Sequence, residues 1–219
     1  MAVINGTYVP LSGLQLMADP RNVKCYPGSG TAAINQMDNT ALTLSGITYS
    51  GGYWVNAAAG TVISNASYNL TLGSGYTVIQ WLNLTSTNPT GGSFGFTSGS
   101  NTANFYMGGA TTMRWETYLT GGDLSSNQTF QPNTWAMWAG TFSGTGSAGG
   151  SGTSSIYYNG NLDNTATKAG SASINSTFQI GIYSGPMTGS IGPSLFYSRA
   201  LSATEIKTVF NAYRSSFGI

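Results

Sequence analysis

Residues 189–213, GSIGPSLFYSRALSATEIKTVFNAY, indicate the fold most clearly. A mostly apolar strand, predicted over 190–197, leads directly into Ser202 and Glu205, whose spacing is that of a capping box at the start of a helix. Apolar residues then recur at helical spacing, which predicts one short amphipathic helix that ends near Ser215. The segment therefore predicts a strand followed by a capped helix that lies on a sandwich.

The side chains around this junction have plain structural roles. Arg199 lies between the strand and the cap, where we expect its N–H donors to satisfy carbonyl groups of the turn. Leu201 and Ile206 have the positions of a hydrophobic staple across the cap. Tyr197 and Leu201 are predicted to contribute to the core. These residues therefore identify a fold and no chemistry.

Upstream, the sequence consists of short apolar or alternating runs separated by turn residues, which is typical of antiparallel strands. Asn159-Gly160 is a favoured type I′ pair and predicts a hairpin. Because no helical pattern lies between the runs, we expect two packed antiparallel sheets or a barrel. The predicted strands are 14–17, 40–47, 52–55, 61–64, 76–84, 93–96, 104–107, 112–119, 134–142, 154–158, 178–182 and 190–197.

Two segments depart from the strand pattern. Residues 143–155, SGTGSAGGSGTSS, have no side chain suited to a core and are predicted to form a flexible surface loop. Residues 1–12 form an N-terminal arm ahead of one domain over 13–219. The arm has no obvious strand partner, and its apolar side chains are candidate assembly contacts to a shell or a neighbouring subunit: Val3, Ile4, Tyr8 and Val9.

The composition excludes many familiar active sites and partners. The chain has 219 residues, no His, one cysteine (Cys25), and 7 Lys+Arg against 6 Asp+Glu, for a formal charge of +1. Without His there is no Ser-His-Asp unit and no histidine metal ligand. The near-zero charge argues against nucleic-acid binding through a basic surface, since counterion release needs clustered cations. With no visible secretory signal and no apolar run of membrane-spanning length, we expect neither a nucleic acid nor a membrane as partner.

The C-terminal segment resembles the closing signature of concanavalin A-like, laminin G-type jelly rolls, in which a glycine-preceded strand runs into Tyr-x-Arg-Ala-Leu-Ser and a capped helix beginning with Glu-Ile. Residues 14–22 and 24–31 resemble the opening strand and loop of bacteriophage versions of this module. At 34–39 the sequence keeps only part of a turn that is usual in the family. The resemblance implies an all-β, antiparallel two-sheet jelly-roll sandwich with one short C-terminal helix, of the kind found in tailed-phage structural proteins.

The resemblance raises the question of glycosidase activity. The glucanases of this superfamily place their catalytic carboxylates on one strand as Glu-x-Asp-x-x-Glu, and this pattern is missing here. Of the two Glu residues, Glu205 is assigned to the helix cap, and Glu116 is expected to form an ion pair with Arg114 on the same strand face. We therefore expect no catalytic residue and no enzymatic activity.

Calcium is the next ligand to consider, because lectins and laminin G modules often use it. Calcium prefers several carboxylates and carbonyls, whereas Asp19, Asp38, Asp123 and Asp163 are dispersed with no Asp-x-Asp-x-Asp run. Asp19 stands before Pro20 in a sequence that favours a turn. We expect no metal site and no cofactor.

A sugar site would combine an aromatic ring with polar side chains. Three of the five Trp residues lie among apolar neighbours and are predicted to pack in the core: Trp81, Trp135 and Trp138. Trp54 follows a Gly-Gly-Tyr turn sequence, and Trp115 stands beside Arg114. The candidate glycan contacts are therefore Trp54, Trp115 and Arg114.

Two functions remain open. The phage-like opening segment, the missing signal and the nearly uncharged polar surface favour a virion structural protein of a tailed phage, most of all a capsid decoration or cement protein. Such a protein would assemble in the host cytoplasm with copies of itself and with capsid or tail proteins. The alternative is a carbohydrate-binding, lectin-like module on a phage fibre or particle surface that recognises host glycans.

Overall fold

The computed structural model describes residues 2–4, 7–57, 62–72, 74–85, 91–98, 101–108, 111–171, 175–181 and 187–219. Two eight-stranded antiparallel sheets stack face to face, and one short helix lies on the second sheet. No helix in these ranges is long and apolar enough to span a bilayer. The predicted two-sheet sandwich with one C-terminal helix is confirmed.

The chain begins with a hairpin of β1 (Ala2–Ile4) and β2 (Thr7–Val9). Sheet I is formed by β4 (Ala32–Ile34), β5 (Ala41–Ser45), β8 (Val62–Thr71), β10 (Gly92–Ser98), β11 (Asn101–Met107), β12 (Thr112–Tyr118), β13 (Asp123–Thr129) and β17 (Asn175–Ile180). Its strand order is β13-β12-β11-β10-β17-β8-β5-β4.

Sheet II is formed by β3 (Leu14–Ala18), β6 (Ile47–Ser50), β7 (Tyr53–Asn56), β9 (Gly75–Leu84), β14 (Ala136–Gly144), β15 (Gly150–Tyr158), β16 (Asn161–Gly170) and β18 (Gly189–Tyr197). Its order is β16-β15-β14-β9-β18-β7-β6, with β3 also paired to β18. Helix α1 (Ala203–Tyr213) follows β18 and continues into a 3-10 turn, Arg214–Phe217.

The main core lies between the two sheets. Alternate side chains of each strand point into it, among them Phe105 and Trp115 from sheet I and Phe142 and Trp138 from sheet II. The indole of Trp115 donates a hydrogen bond to the carbonyl of Thr141, 3.2 Å away, and so links the two sheets. This layer fixes which side chains of β11 and β12 face outward.

A second apolar layer lies between the outer face of sheet II and α1. The predicted capping box is present, with Ser202 and Glu205 bonded to each other's backbone N–H. Arg199 donates to the carbonyl of Ser12 (2.7 Å) and pairs with both carboxylate oxygens of Glu205 (2.9 and 2.5 Å). The predicted role of Arg199 at the turn is confirmed, and its pairing with Glu205 adds an ionic contact to the cap.

The N-terminal arm packs partly on its own chain. Val9 is 1% exposed and belongs to the layer beneath α1, so the prediction that Val9 contacts a neighbouring subunit is wrong. Tyr8 is 51% exposed and stays a candidate contact. The side chains of Val3 and Ile4 lie outside the described residues.

The prediction of a flexible loop over 143–155 is also wrong. Strand β14 extends to Gly144 and β15 starts at Gly150, and the two pair in register. A Cβ on Gly144, Gly152 or Gly170 would lie 1.8–2.5 Å from the ring of Phe142. The glycines therefore leave the space that this buried ring occupies.

Candidate functional site

Polar side chains cross the outer face of sheet I in register. Asn104 of β11 pairs with Glu116 of β12, which pairs with Asp123 of β13; one row along, Tyr106 pairs with Arg114. Because neighbouring residues of these strands point into the core, these five point outward. We call them the polar platform: Asn104, Tyr106, Arg114, Glu116 and Asp123.

Asp123 is the centre of the exposed half of the platform. The hydroxyl of Tyr106 donates to its two carboxylate oxygens at 2.8 and 2.9 Å, and Nη1 of Arg114 lies 3.3 Å from Oδ2. The side chains of Arg114 and Asp123 remain 39% and 41% exposed. A carboxylate has about four lone-pair sites, so Asp123 has capacity to accept hydrogen bonds from a ligand.

Glu116 occupies the buried half of the platform and is 5% exposed. Nδ2 of Asn104 donates to its Oε2 at 2.6 Å, while Oδ1 of Asn104 accepts from the backbone N–H of Phe96 at 2.8 Å. The amide of Asn104 is thereby held by the backbone and orients the carboxylate. The predicted ion pair between Arg114 and Glu116 is not formed, because Glu116 bonds to Asn104 and the guanidinium turns to Asp123 on the next strand.

Tyr106 is kept in its donating form. Burial raises the pKa of its hydroxyl above the ordinary value, and the hydrogen bond to the Asp123 carboxylate raises it further. The phenol therefore stays protonated at neutral pH and continues to donate to Asp123.

Gly108 gives Arg114 the room to lie across the platform. A Cβ at position 108 would stand 2.0 Å from Nε of Arg114 and 2.2 Å from its Cδ. Within the described ranges, this buried Nε has no hydrogen-bond partner. The guanidinium thus contributes to the platform mainly through its terminal nitrogens.

Two of the three predicted glycan contacts are contradicted by their burial. Trp54 and Trp115 are both 0% exposed. Trp54 points inward from β7 and meets the ring of Tyr26 edge-on at 6.0 Å, while Trp115 occupies the main core. Arg114 alone among the three lies on an accessible face, and its role in glycan binding stays a prediction.

The aspartates do not gather into a metal cluster. No group of three or more His, Cys, Asp or Glu side chains lies together in the part of the chain that the structure describes. Asp19 accepts from the backbone N–H of Arg21 and pairs with its guanidinium, which supports the turn interpretation. Cys25 is buried, and burial raises the pKa of its thiol to about 12.

The architecture defines an antiparallel jelly-roll sandwich with a polar outer face on sheet I. Residues 56–207 match the family model of the concanavalin A-like lectin/glucanases superfamily. The match covers more than half of the chain, and the chain belongs to this superfamily. A comparison with curated protein sequences found no match.

Solved structures share the fold at low identity. A mutant Trypanosoma rangeli sialidase with trans-sialidase activity aligns over 98% of this chain and 35% of its own, with TM-score 0.65 and 15% identity. The binding domain of Paraclostridial Mosquitocidal Protein 1 aligns over 92% of this chain and 52% of its own, with TM-score 0.66 and 16% identity. The binding domain of botulinum neurotoxin DC in complex with SialylT aligns over 91% of this chain and 51% of its own, with TM-score 0.63 and 12% identity. A binding domain of the same toxin has also been solved with rat synaptotagmin II. The chain spans about a third to a half of the length of these proteins.

These structures correct the expectation that the protein is not an enzyme. Sialidases, including one with trans-sialidase activity, share the fold, and so do the binding domains of toxins. The fold is therefore compatible with enzymes as well as with binding domains. The missing Glu-x-Asp-x-x-Glu pattern concerns one arrangement of carboxylates and does not decide between the two classes.

Proposed function

We propose that the protein is a carbohydrate-binding module and that the polar platform is its binding face. The observation that carries this proposal is the grouping of a tyrosine ring, a guanidinium and a half-exposed carboxylate on one side of three neighbouring strands. Sugar hydroxyls both donate and accept, and the platform offers acceptors at Asp123 and donors at Arg114. Binding domains with this fold, one of them solved with SialylT, support the same function.

The geometry of the platform suits a ligand that lies flat on the sheet. Asp123 and Arg114 are already oriented by each other and by Tyr106, so little side-chain freedom is lost on binding. Gly95 on β10 and Gln179 on β17 continue the face beyond Asn104. Because Asn104 is fully buried and Glu116 is 5% exposed, a ligand would contact the exposed half of the platform, around Arg114 and Asp123.

A glycan array followed by calorimetry tests the proposal. We expect the protein to bind at least one glycan and Tyr106→Ala to weaken that binding at least about tenfold, through loss of the ring and of the contact that orients Asp123. Tyr8→Ala is the matched control, since Tyr8 is exposed on the N-terminal hairpin. Absence of binding to every glycan, or equal loss in both variants, would contradict the proposal.

As a second candidate, we propose that the protein is a structural subunit on the particle of a tailed phage, as a decoration or cement protein. The feature that favours it is the scarcity of charge, 6% of residues, combined with ion pairs that use the chain's own charges: Arg21–Asp19, Arg114–Asp123 and Arg199–Glu205. A surface of this kind packs against copies of itself with little charge desolvation.

Sedimentation with phage particles tests the second candidate. The wild-type protein should co-sediment with purified particles, and particles that lack it should rupture earlier on heating. Tyr8→Ala should weaken the association while Tyr106→Ala leaves it unchanged. Purified particles without any trace of the chain would reject this role.

A further inference from the structure

The charges of the polar platform determine what kind of glycan it accepts. In the described part of the chain, the charged side chains on this face of β11, β12 and β13 are Arg114, Glu116 and Asp123, one cation and two anions. At the neighbouring edge, β16 has one acidic and one basic side chain, Asp163 and Lys168, and Asp163 accepts from the backbone N–H groups of Asn127 and Gln128. Acidic side chains therefore outnumber basic ones by one on this face and its edge.

The single cation of the platform is already engaged. Nη1 of Arg114 lies 3.3 Å from Oδ2 of Asp123. A carboxylate on a ligand that approached the remaining N–H groups of Arg114 would lie next to the carboxylate of Asp123. Like charges placed side by side oppose binding.

We infer that the polar platform selects uncharged glycans and discriminates against sialylated and other anionic ones. This inference rests on the proposed function and deepens it by naming the ligand class. It separates this chain from the toxin domain solved with SialylT, although the two share a fold. The hydroxyls of an uncharged sugar donate to Asp123 and leave its pairing with Arg114 and Tyr106 in place.

Matched pairs of immobilised glycans that differ only by a terminal sialic acid test the inference. The wild-type protein should bind the uncharged member at least about tenfold more tightly. This preference should shrink when salt is raised, since about 1 M salt screens charges beyond roughly 3 Å. Equal or tighter binding of the sialylated member would overturn the inference and leave the carbohydrate-binding function standing. Absence of binding to both members throughout the array would overturn the proposed function and the inference with it.

Two variants should shift the selectivity in opposite directions. Asp123→Asn removes one negative charge and releases Arg114, so the sialylated member should gain several-fold relative to the uncharged one. Arg114→Gln removes the cation and should enlarge the preference for the uncharged member. Asp38→Asn is the control for overall charge, since Asp38 lies between β4 and β5 at the opposite edge of sheet I. If the ratio of the affinities for the uncharged and the sialylated glycan changes equally in Asp123→Asn and Asp38→Asn, the inference is overturned.

Discussion

On sheet II, Trp81 and Met137 point outward into the apolar layer beneath α1, whereas on sheet I the outward residues of β11 and β12 are polar, among them Asn104, Arg114 and Glu116. Both sheets bury their inner faces in one core, so the difference arises on the outer faces alone. A covered face is filled with rings and contributes stability. A face left polar contributes less stability, and here it leaves Arg114 and Asp123 about 40% exposed.

The largest effect is expected from Trp81→Ala on the covered face. Trp81 is fully buried between the rings of Phe210 and Phe217, with centroids 5.7 and 4.3 Å away. Truncation should lower the free energy of unfolding by about 3–5 kcal/mol in a urea titration. Tyr106→Ala is the comparison on the polar face and should cost less, about 1.5–3 kcal/mol, since its hydroxyl donates to a carboxylate. Similar losses in both variants would show that the two faces do not differ in this way.

The attachment of α1 to the covered face gives the next effect, through Glu205. Its salt bridge to Arg199 and its bonds to Ser202 hold the pKa of the Glu205 carboxyl at about 2, below its ordinary value of 4.5. A lowered pKa stabilises the fold above pH 4.5, and this contribution is lost as the pH falls toward 2.

Glu205→Gln should therefore destabilise the protein by about 1–2 kcal/mol at pH 7, after allowance for solvent screening of a side chain that is 31% exposed. Urea titrations between pH 7 and pH 2 should show the gap between wild type and variant closing in the acid range. Asp38→Asn serves as the control, because it changes the net charge without touching the cap. A gap that stays constant down to pH 2 would contradict the ionic role of Glu205.

The smallest effect on stability is expected from Gly108→Ala on the polar face. The new methyl group would collide with the side chain of Arg114, which is long enough to swing away. The free energy of unfolding should change by less than about 1 kcal/mol, whereas glycan affinity should fall several-fold as the guanidinium leaves Asp123. Unchanged glycan affinity in this variant would show that Arg114 does not belong to the binding face.

The covered side of the molecule was predictable from sequence, because its signals are local. The capping residues Ser202 and Glu205 lie three positions apart, and the helical repeat from Ile206 to Tyr213 is continuous. The strand over 76–84 was also predicted nearly to its ends, since apolar residues crowd its sequence. The local sequence pattern was enough to predict these elements because most of their side chains are buried.

The polar side was predictable only in part. Strands β13 and β16 escaped prediction because their sequences, DLSSNQT and NLDNTATKAG, bury few side chains and have no apolar alternation. They close an edge of the sandwich by polar contacts instead, such as Asn164 Nδ2 to the carbonyl of Ser125 at 2.8 Å. Without β13, the sequence does not place Asp123 beside Arg114, and Trp115, next to Arg114 in the chain, looks like a surface ring. The sequence signal available for the platform was the alternation of polar with core-facing residues along β11 and β12, which gives Asn104, Tyr106, Arg114 and Glu116.

Backbone amide NMR during titration with the tightest-binding uncharged glycan tests the central claim most directly. Binding to the polar platform predicts the largest shift changes in β11, β12 and β13, and their disappearance in Tyr106→Ala. Shift changes concentrated in α1 or in the hairpin around Tyr8 would contradict the account, because they would place the ligand on the other side of the molecule.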